Sequence, residues 1–170
     1  MFLTSFRPAL AVAALLFAAP AVAERHAARI SAVAGELYAV EGHEVLLHLP
    51  RCAPALRGAE AEIDLAARAV WLAGASHACA IHRMLRPVTP AAGRYDLTVA
   101  PAGPSVLATP VDGWVFVVEG CDGLPNRAAA RLVIDGAGDR LLVEAPDHPA
   151  ASITGRVTCA VRRVLTELRF

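Results

Sequence analysis

Histidine supplies the first residues of this chain that could do chemistry. In His43-Glu-Val-Leu-Leu-His48 a glutamate stands beside two imidazoles, close to the zinc motif H-E-x-x-H, whose histidines lie four apart on one helical face. Here the spacing is five, and residues five apart on a strand point to opposite faces, so His43 and His48 do not chelate one ion. His77 and His82 repeat that spacing and fail for the same reason. His48 and His82 become neighbours if their strands pair, yet two imidazoles fall short of the three or four protein ligands that zinc usually takes. Neither a metal site nor a cofactor is expected.

The candidate nucleophiles lead no further. After residue 23 the serines are Ser31, Ser76, Ser105 and Ser152, and none lies in a G-x-S-x-G turn. Ser76 precedes His77, but neighbours on a strand face opposite ways. Glu60 and Glu62 share a strand face, a geometry open to like-charge acid–base work and equally that of a solvated acidic surface. Asp135 and Asp139 flank a glycine-rich turn far too short for an EF-hand loop, and turn formation accounts for them. No catalytic residue is assigned. The enzymatic alternative is a small periplasmic hydrolase that gathers His48, His77 or His82 with a distant carboxylate.

Four cysteines, Cys52, Cys79, Cys121 and Cys159, are even in number, and in an exported chain they read as two disulfides rather than as a free nucleophile. Export is read from residues 1–23. Arg7 gives the positive region, Leu10 to Ala19 the apolar stretch, and Ala21-Val22-Ala23 a small-residue cleavage site. The apolar run between Pro8 and Pro20 is shorter than the ~20 residues of a membrane-crossing helix. Cleavage before Glu24 and a periplasmic or secreted product with no membrane span are therefore expected. Sixteen basic residues, all arginine, balance sixteen acids. That balance gives no footprint for nucleic acid, and the absence of lysine excludes Schiff bases and P-loops. An envelope protein or a small ligand remains as partner, with the oligomeric state open.

Short strands must carry these residues. Ala59-Glu-Ala-Glu-Ile-Asp-Leu65 alternates apolar and acidic positions with the period of a strand, although the alanines of Gly58 to Gly74 also suit a helix. Asp135-Gly-Ala-Gly-Asp139 between two apolar triplets signals a hairpin. Arg29–Val33, Glu36–Val40, Val45–Leu49, Arg94–Val99 and Trp114–Val118 are further strands, and Arg127 to Leu132 could begin a short helix.

An internal repeat orders these elements. Cys79-Ala-Ile-His-Arg-Met-Leu85 lines up with Cys159-Ala-Val-Arg-Arg-Val-Leu165, Ile63-Asp64 with Ile134-Asp135, and an apolar strand precedes both Cys52 and Cys121. In that alignment His48 and His82 match Val117 and Arg162. Two related halves, about 29–86 and 94–166, are joined by the proline-rich stretch Arg86 to Gly93. So small a half is marginal alone, so one shared core is expected. Locality and the repeat favour Cys52 with Cys79 and Cys121 with Cys159, while the other pairings also satisfy a pseudo-twofold.

Two segments resemble known modules. Gly93-Arg-Tyr-Asp-Leu-Thr-Val99 is similar to a strand of extracellular immunoglobulin-like domains, where the tyrosine packs at a corner. The alternating end, Arg163 to Phe170, resembles the last strand of outer-membrane barrels. Six aromatic residues after residue 23 are too few for two girdles, however, and the strands read as shorter than the ~9–11 residues needed to span. Trp71 and Trp114 read as core anchors.

The fold class is thus all-β, a small sandwich or barrel of two repeated, disulfide-stapled halves. Its expected role is that of a non-enzymatic binding or assembly module of the envelope. The intact mass of protein recovered from the envelope is expected to begin at Glu24 and to lack four hydrogens. A mass retaining residues 1–23 would contradict the cleavage.

Overall fold

Alternation of small apolar and charged side chains, punctuated by glycine and proline, makes this chain pair with itself throughout. The computed structural model describes residues 24–52 and 57–168. Residues 1–23, expected to be a secretory signal, and the last two residues of the terminal strand reading, Arg169 and Phe170, lie outside the described residues. Every regular element described is a β-strand. The first seven are β1 (Arg25–Ala34), β2 (Leu37–Val40), β3 (Leu46–His48), β4 (Ala59–Asp64), β5 (Ala69–Leu72), β6 (Cys79–Ala80) and β7 (Arg83–Val88). After the proline-rich stretch come β8 (Gly93–Gly103), β9 (Val106–Ala108), β10 (Trp114–Glu119), β11 (Ala128–Ile134), β12 (Arg140–Glu144) and β13 (Arg156–Glu167).

Strands β8 to β13 close an antiparallel barrel of six, in the order β10-β9-β8-β11-β12-β13 with β13 pairing back onto β10. Along β11, Ala128, Ala130 and Leu132 point inward and Ala129 and Arg131 outward. The inward set meets Phe116, Leu141, Val143 and Val157 in an apolar interior. The outer surface carries the ion pairs Asp96–Arg131, Glu144–Arg156 and Glu119–Arg162. The remaining strands leave β13 through β7, in the order β7-β3-β2-β1-β4-β5-β6.

The expected single core is corrected. The first seven strands enclose an interior of their own around Ile30, Leu47, Leu49 and Val70, because curling sheets bury their concave faces separately. Sharing is confined to a seam of Leu37, Leu46, Leu85, Val106, Val115 and Leu165. Two other expectations change. Arg127 to Leu132 begins no helix, since Ala128–Ile134 pairs with both β8 and β12. Strands β1, β8 and β13 also run to 10, 11 and 12 residues, longer than the sequence suggested. Register shifts interrupt the pairing of each, at Ala32/Ala34 in β1, at Pro101/Gly103 in β8 and opposite Val117/Val118 in β13, and β13 also changes partner along one edge.

Local chemistry sets the turns. The alanine-rich stretch is two strands, β4 and β5, and buried Asp64 ends the first of them. Its Oδ1 accepts the Ala67 N–H at 2.8 Å. The Asp135–Asp139 hairpin uses positive φ at Gly136 and Gly138, and Asp135 Oδ1 accepts the Ala137 N–H at 3.0 Å. Tyr95 donates its hydroxyl to the Ala91 carbonyl at 2.8 Å and meets the edge of Trp114. That is a tyrosine corner built on a barrel rather than a sandwich. Disulfides join Cys52 to Cys79 and Cys121 to Cys159, tying the chain after β3 to β6 and the chain after β10 to β13. In the chain-entropy estimate each is worth roughly 3–4 kcal/mol.

Phe116 is wholly buried in the barrel. Phe116→Ala is expected to cost about 3–5 kcal/mol, a large share of a ~5–15 kcal/mol total. Ile153→Ser, at a fully exposed site, is expected to stay within about 0.5 kcal/mol. Urea denaturation checks both.

Candidate functional site

Two of the concavities among the described residues hold the candidate side chains. The first forms where β3 meets β7. His48 stands opposite Arg83 in that ladder, and the next N–H, from His82, donates to the His48 carbonyl at 2.9 Å. Backbone pairing thus brings the imidazoles together, with Nδ1 of His48 3.3 Å from Nδ1 of His82 and the rings tilted by 58°. The other His48 nitrogen, Nε2, lies 3.5 Å from Oε2 of Glu36. Oε1 of Glu36 accepts the Arg51 N–H at 2.8 Å, which fixes the carboxylate. The result is a row, Glu36–His48–His82, at the edge of a groove of about 410 Å³ between the two sets of strands. Leu37 and Leu85 line one wall, Pro101, Val106 and Val115 the other.

Burial lowers the pKa of His48 below its usual 6.5, the nearby His82 lowers it further, and Glu36 partly offsets both. The ring is therefore neutral at pH 7. Burial, aided by the Glu36 charge, raises the pKa of the adjacent Tyr38. A neutral imidazole can pass a proton or donate a lone pair; among the described residues lining the groove, Thr109 is the one that carries a hydroxyl. Thr109, on the facing wall, accepts the Trp114 N–H at 2.9 Å and donates to the Trp114 carbonyl at 3.3 Å. The cysteines are all in disulfides.

The expected histidine site is therefore partly assembled. His48 and His82 meet, as strand pairing would require, whereas His77 sits in the Ala73–Ala78 loop against Ser76 Oγ, at 3.3 Å from its Nδ1. The strand argument separating Ser76 from His77 is corrected, because a bend lets neighbouring side chains meet. Among the described residues no group of three or more histidine, cysteine, aspartate or glutamate side chains is arranged to hold a metal ion.

The second concavity was missed in the sequence. It lies on the outer face of β1, β4 and β5, where cross-strand pairing lines up Ala27, Glu62 and Trp71 in one row and sets Arg29 beside Glu60 in the next. Small side chains at Ala27 and Ala73 leave a hollow of about 670 Å³ between Trp71 and the charged residues. Trp71 is not a core anchor. Its ring lies under the Arg25 guanidinium, 4.3 Å from centroid to Cζ, and Arg25 also reaches Glu62 at 3.2 Å. The alternation of β4 already placed Glu60 and Glu62 on a wet face; what hid the site was reading a tryptophan as buried by default. On the barrel the corresponding row is Asp96, Arg131 and Leu142. There the Asp96–Arg131 pair at 2.6 Å fills the space, leaving about 220 Å³.

No family model, curated protein or solved structure matches the chain.

A histidine held neutral in the fold makes stability depend on pH in one direction. Below about 6.5 the unfolded chain takes the proton first, so stability is full above that pH and falls as pH drops toward the lower folded pKa. Between pH 7.5 and 5 the metal-free protein is expected to lose stability, and His48→Gln to lose less of it. Urea midpoints for both proteins check this.

Proposed function

We propose that the protein is an exported, disulfide-stabilised binding or assembly module of the cell envelope, which works without catalysis and holds its ligand on the outer face of β1, β4 and β5. The observation that carries this reading is the difference between two matching faces. One is a hollow walled by Trp71, Glu60, Glu62 and Arg29, and the other is closed by ion pairs. A ligand suited to the hollow has an apolar face for the indole and hydrogen-bonding groups for the carboxylates and guanidinium.

Duplication of one ancestral half supports the comparison of faces. The pairings Leu37↔His48 and Leu46↔Leu85 have counterparts in Val106↔Val117 and Val115↔Leu165. Both first strands bulge at the same place, before Leu37 and before Val106. Both disulfides close the same element, and Arg86 pairs with Thr166. The register aligns Ile63 with Leu132, two residues from the match made by sequence, since both occupy the same place between their neighbours. Export draws support from the leader-like residues 1–23 and from disulfides that persist in oxidising compartments. A barrel apolar within and charged without is the inverse of one facing lipid, which supports a chain without membrane strands. The hydrolase alternative has its carboxylate and histidines in Glu36, His48 and His82, but Thr109 is engaged in its own turn.

A photoreactive residue placed at Ala73 and irradiated in the native envelope is expected to give a discrete adduct, seen by intact mass. The same residue at Glu144, its counterpart on the barrel, is expected to give none. Trp71→Ala should reduce the Ala73 adduct at least tenfold. Adducts of equal yield from both faces, or turnover of an envelope substrate lost in His48→Ala, would overturn the reading.

A further inference from the structure

The row Glu36–His48–His82 is a place where the two halves differ three times at one point. His48 pairs with Leu37 and Arg83, and Val117 pairs with Val106 and Arg163 in the same way. Glu36 accepts the Leu49 N–H and Ser105 the Val118 N–H through their carbonyls, both at 2.9 Å. His82 precedes Arg83 as Arg162 precedes Arg163. The first half thus has a carboxylate and two imidazoles where the second has serine, valine and arginine, a set that cannot hold a cation. Nothing in the outer-face reading uses this difference.

We propose that Nδ1 of His48 and Nδ1 of His82 form an open site for one divalent transition-metal ion of the zinc type. Two imidazole nitrogens bound at ~2.0–2.1 Å to a tetrahedral ion stand roughly 3.3–3.4 Å apart, with ring centres about 5.2 Å apart. Here the nitrogens are 3.3 Å apart and the centroids 5.3 Å. A straight N–H···N hydrogen bond of that length would push the centres to about 5.6 Å. Glu36 supplies the outer support such sites use. Its carboxylate, anchored by the Arg51 N–H, favours the proton on Nε2 of His48 and so leaves the lone pair on Nδ1, toward His82. The β3–β7 ladder and the His82 N–H to His48 carbonyl bond bring the two residues side by side, and their rings already stand at this separation without an ion. No third protein ligand joins them among the described residues. The ion therefore keeps open positions for water or for a donor entering the groove, and it exchanges readily.

The test is calorimetric titration of zinc into chelator-treated, disulfide-intact protein beginning at Glu24 and carrying His26→Ala. That substitution removes the chelate of free amine and third-position histidine which such a terminus would itself present. One equivalent is expected to bind with a micromolar dissociation constant. His82→Ala, an exposed change that leaves the disulfides and both cores intact, should weaken binding at least tenfold. Glu36→Gln should weaken it about tenfold, the lower end of what loss of an outer carboxylate costs. Nitrogen-15 spectra of the imidazoles should show zinc on Nδ1 of both rings. Binding no stronger than in the His48→Ala/His82→Ala double variant, or unchanged by His82→Ala, would overturn the site and leave the paired rings as a hydrogen bond. Neither outcome touches the outer-face reading, which rests on different residues.

Discussion

The structure depends on what strand β13 must satisfy. One of its edges carries β10 from Glu119 to Trp114; the other carries β12 over Arg156–Ala160 and then β7 over Val164–Glu167. Val164, Leu165 and Thr166 are paired on both sides at once. A slip of one residue would turn every side chain of the strand over. Val157 and Cys159 would leave the barrel interior, and Leu165, which is wholly buried, would leave the seam. The Cys121–Cys159 bond fixes the register covalently at the point where β12 hands over to β7.

That arrangement also places the groove. Because β7 is held between β3 and β13, the first set of strands meets the barrel along a line of Leu37, Leu85, Val106 and Val115, and the cleft opens where this packing ends. At the matching place in the barrel Val117 is buried and extends the seam. His48 cannot, because a half-buried imidazole needs partners for both nitrogens, and it finds them in Glu36 and His82. With histidine at position 48 and valine at position 117, one place beside the seam is a polar row and the other is apolar packing. The outer hollow has a parallel origin. Alanine at positions 27 and 73, where the barrel has Asp96 and Glu144, leaves a hollow beside Trp71, whose ring is covered by Arg25 of the Arg25–Glu62 pair.

Much of the fold was legible because its signals are local. The alternation of Ala59–Leu65, the glycines of Asp135–Asp139 and the apolar runs before Cys52 and Cys121 each specify a strand or turn without outside help. The all-β class with two disulfides followed from them. What the sequence hid was long-range. Closure of the barrel is a pairing of Trp114–Glu119 with residues more than forty positions away, and no single window contains it. The division into two interiors depends on the curl of each sheet, which composition does not carry. Arg127–Leu132 looked helical because alanine and arginine favour helix, and pairing on both edges overrode that preference. In the groove, His48 and His82 were recognisable as conditional neighbours, whereas Glu36 was not, since its carboxylate meets His48 only once β2 pairs with β3. The hollow escaped notice because a shortage of side-chain volume at Ala27 and Ala73 matters only once their neighbours across the sheet are known.

The measurement that bears most directly on this account is native-state hydrogen exchange resolved by residue. If β13 ties both interiors into one cooperative unit, the amides of Val164 to Thr166 and their partners in β10 and β7 exchange only through global unfolding. The interior amides of β1 and β4 then open at that same free energy, and both sets shift together as urea is raised. Two separate plateaus, with β1 to β6 opening well below β8 to β13, would contradict it, because β13 would then close the barrel alone.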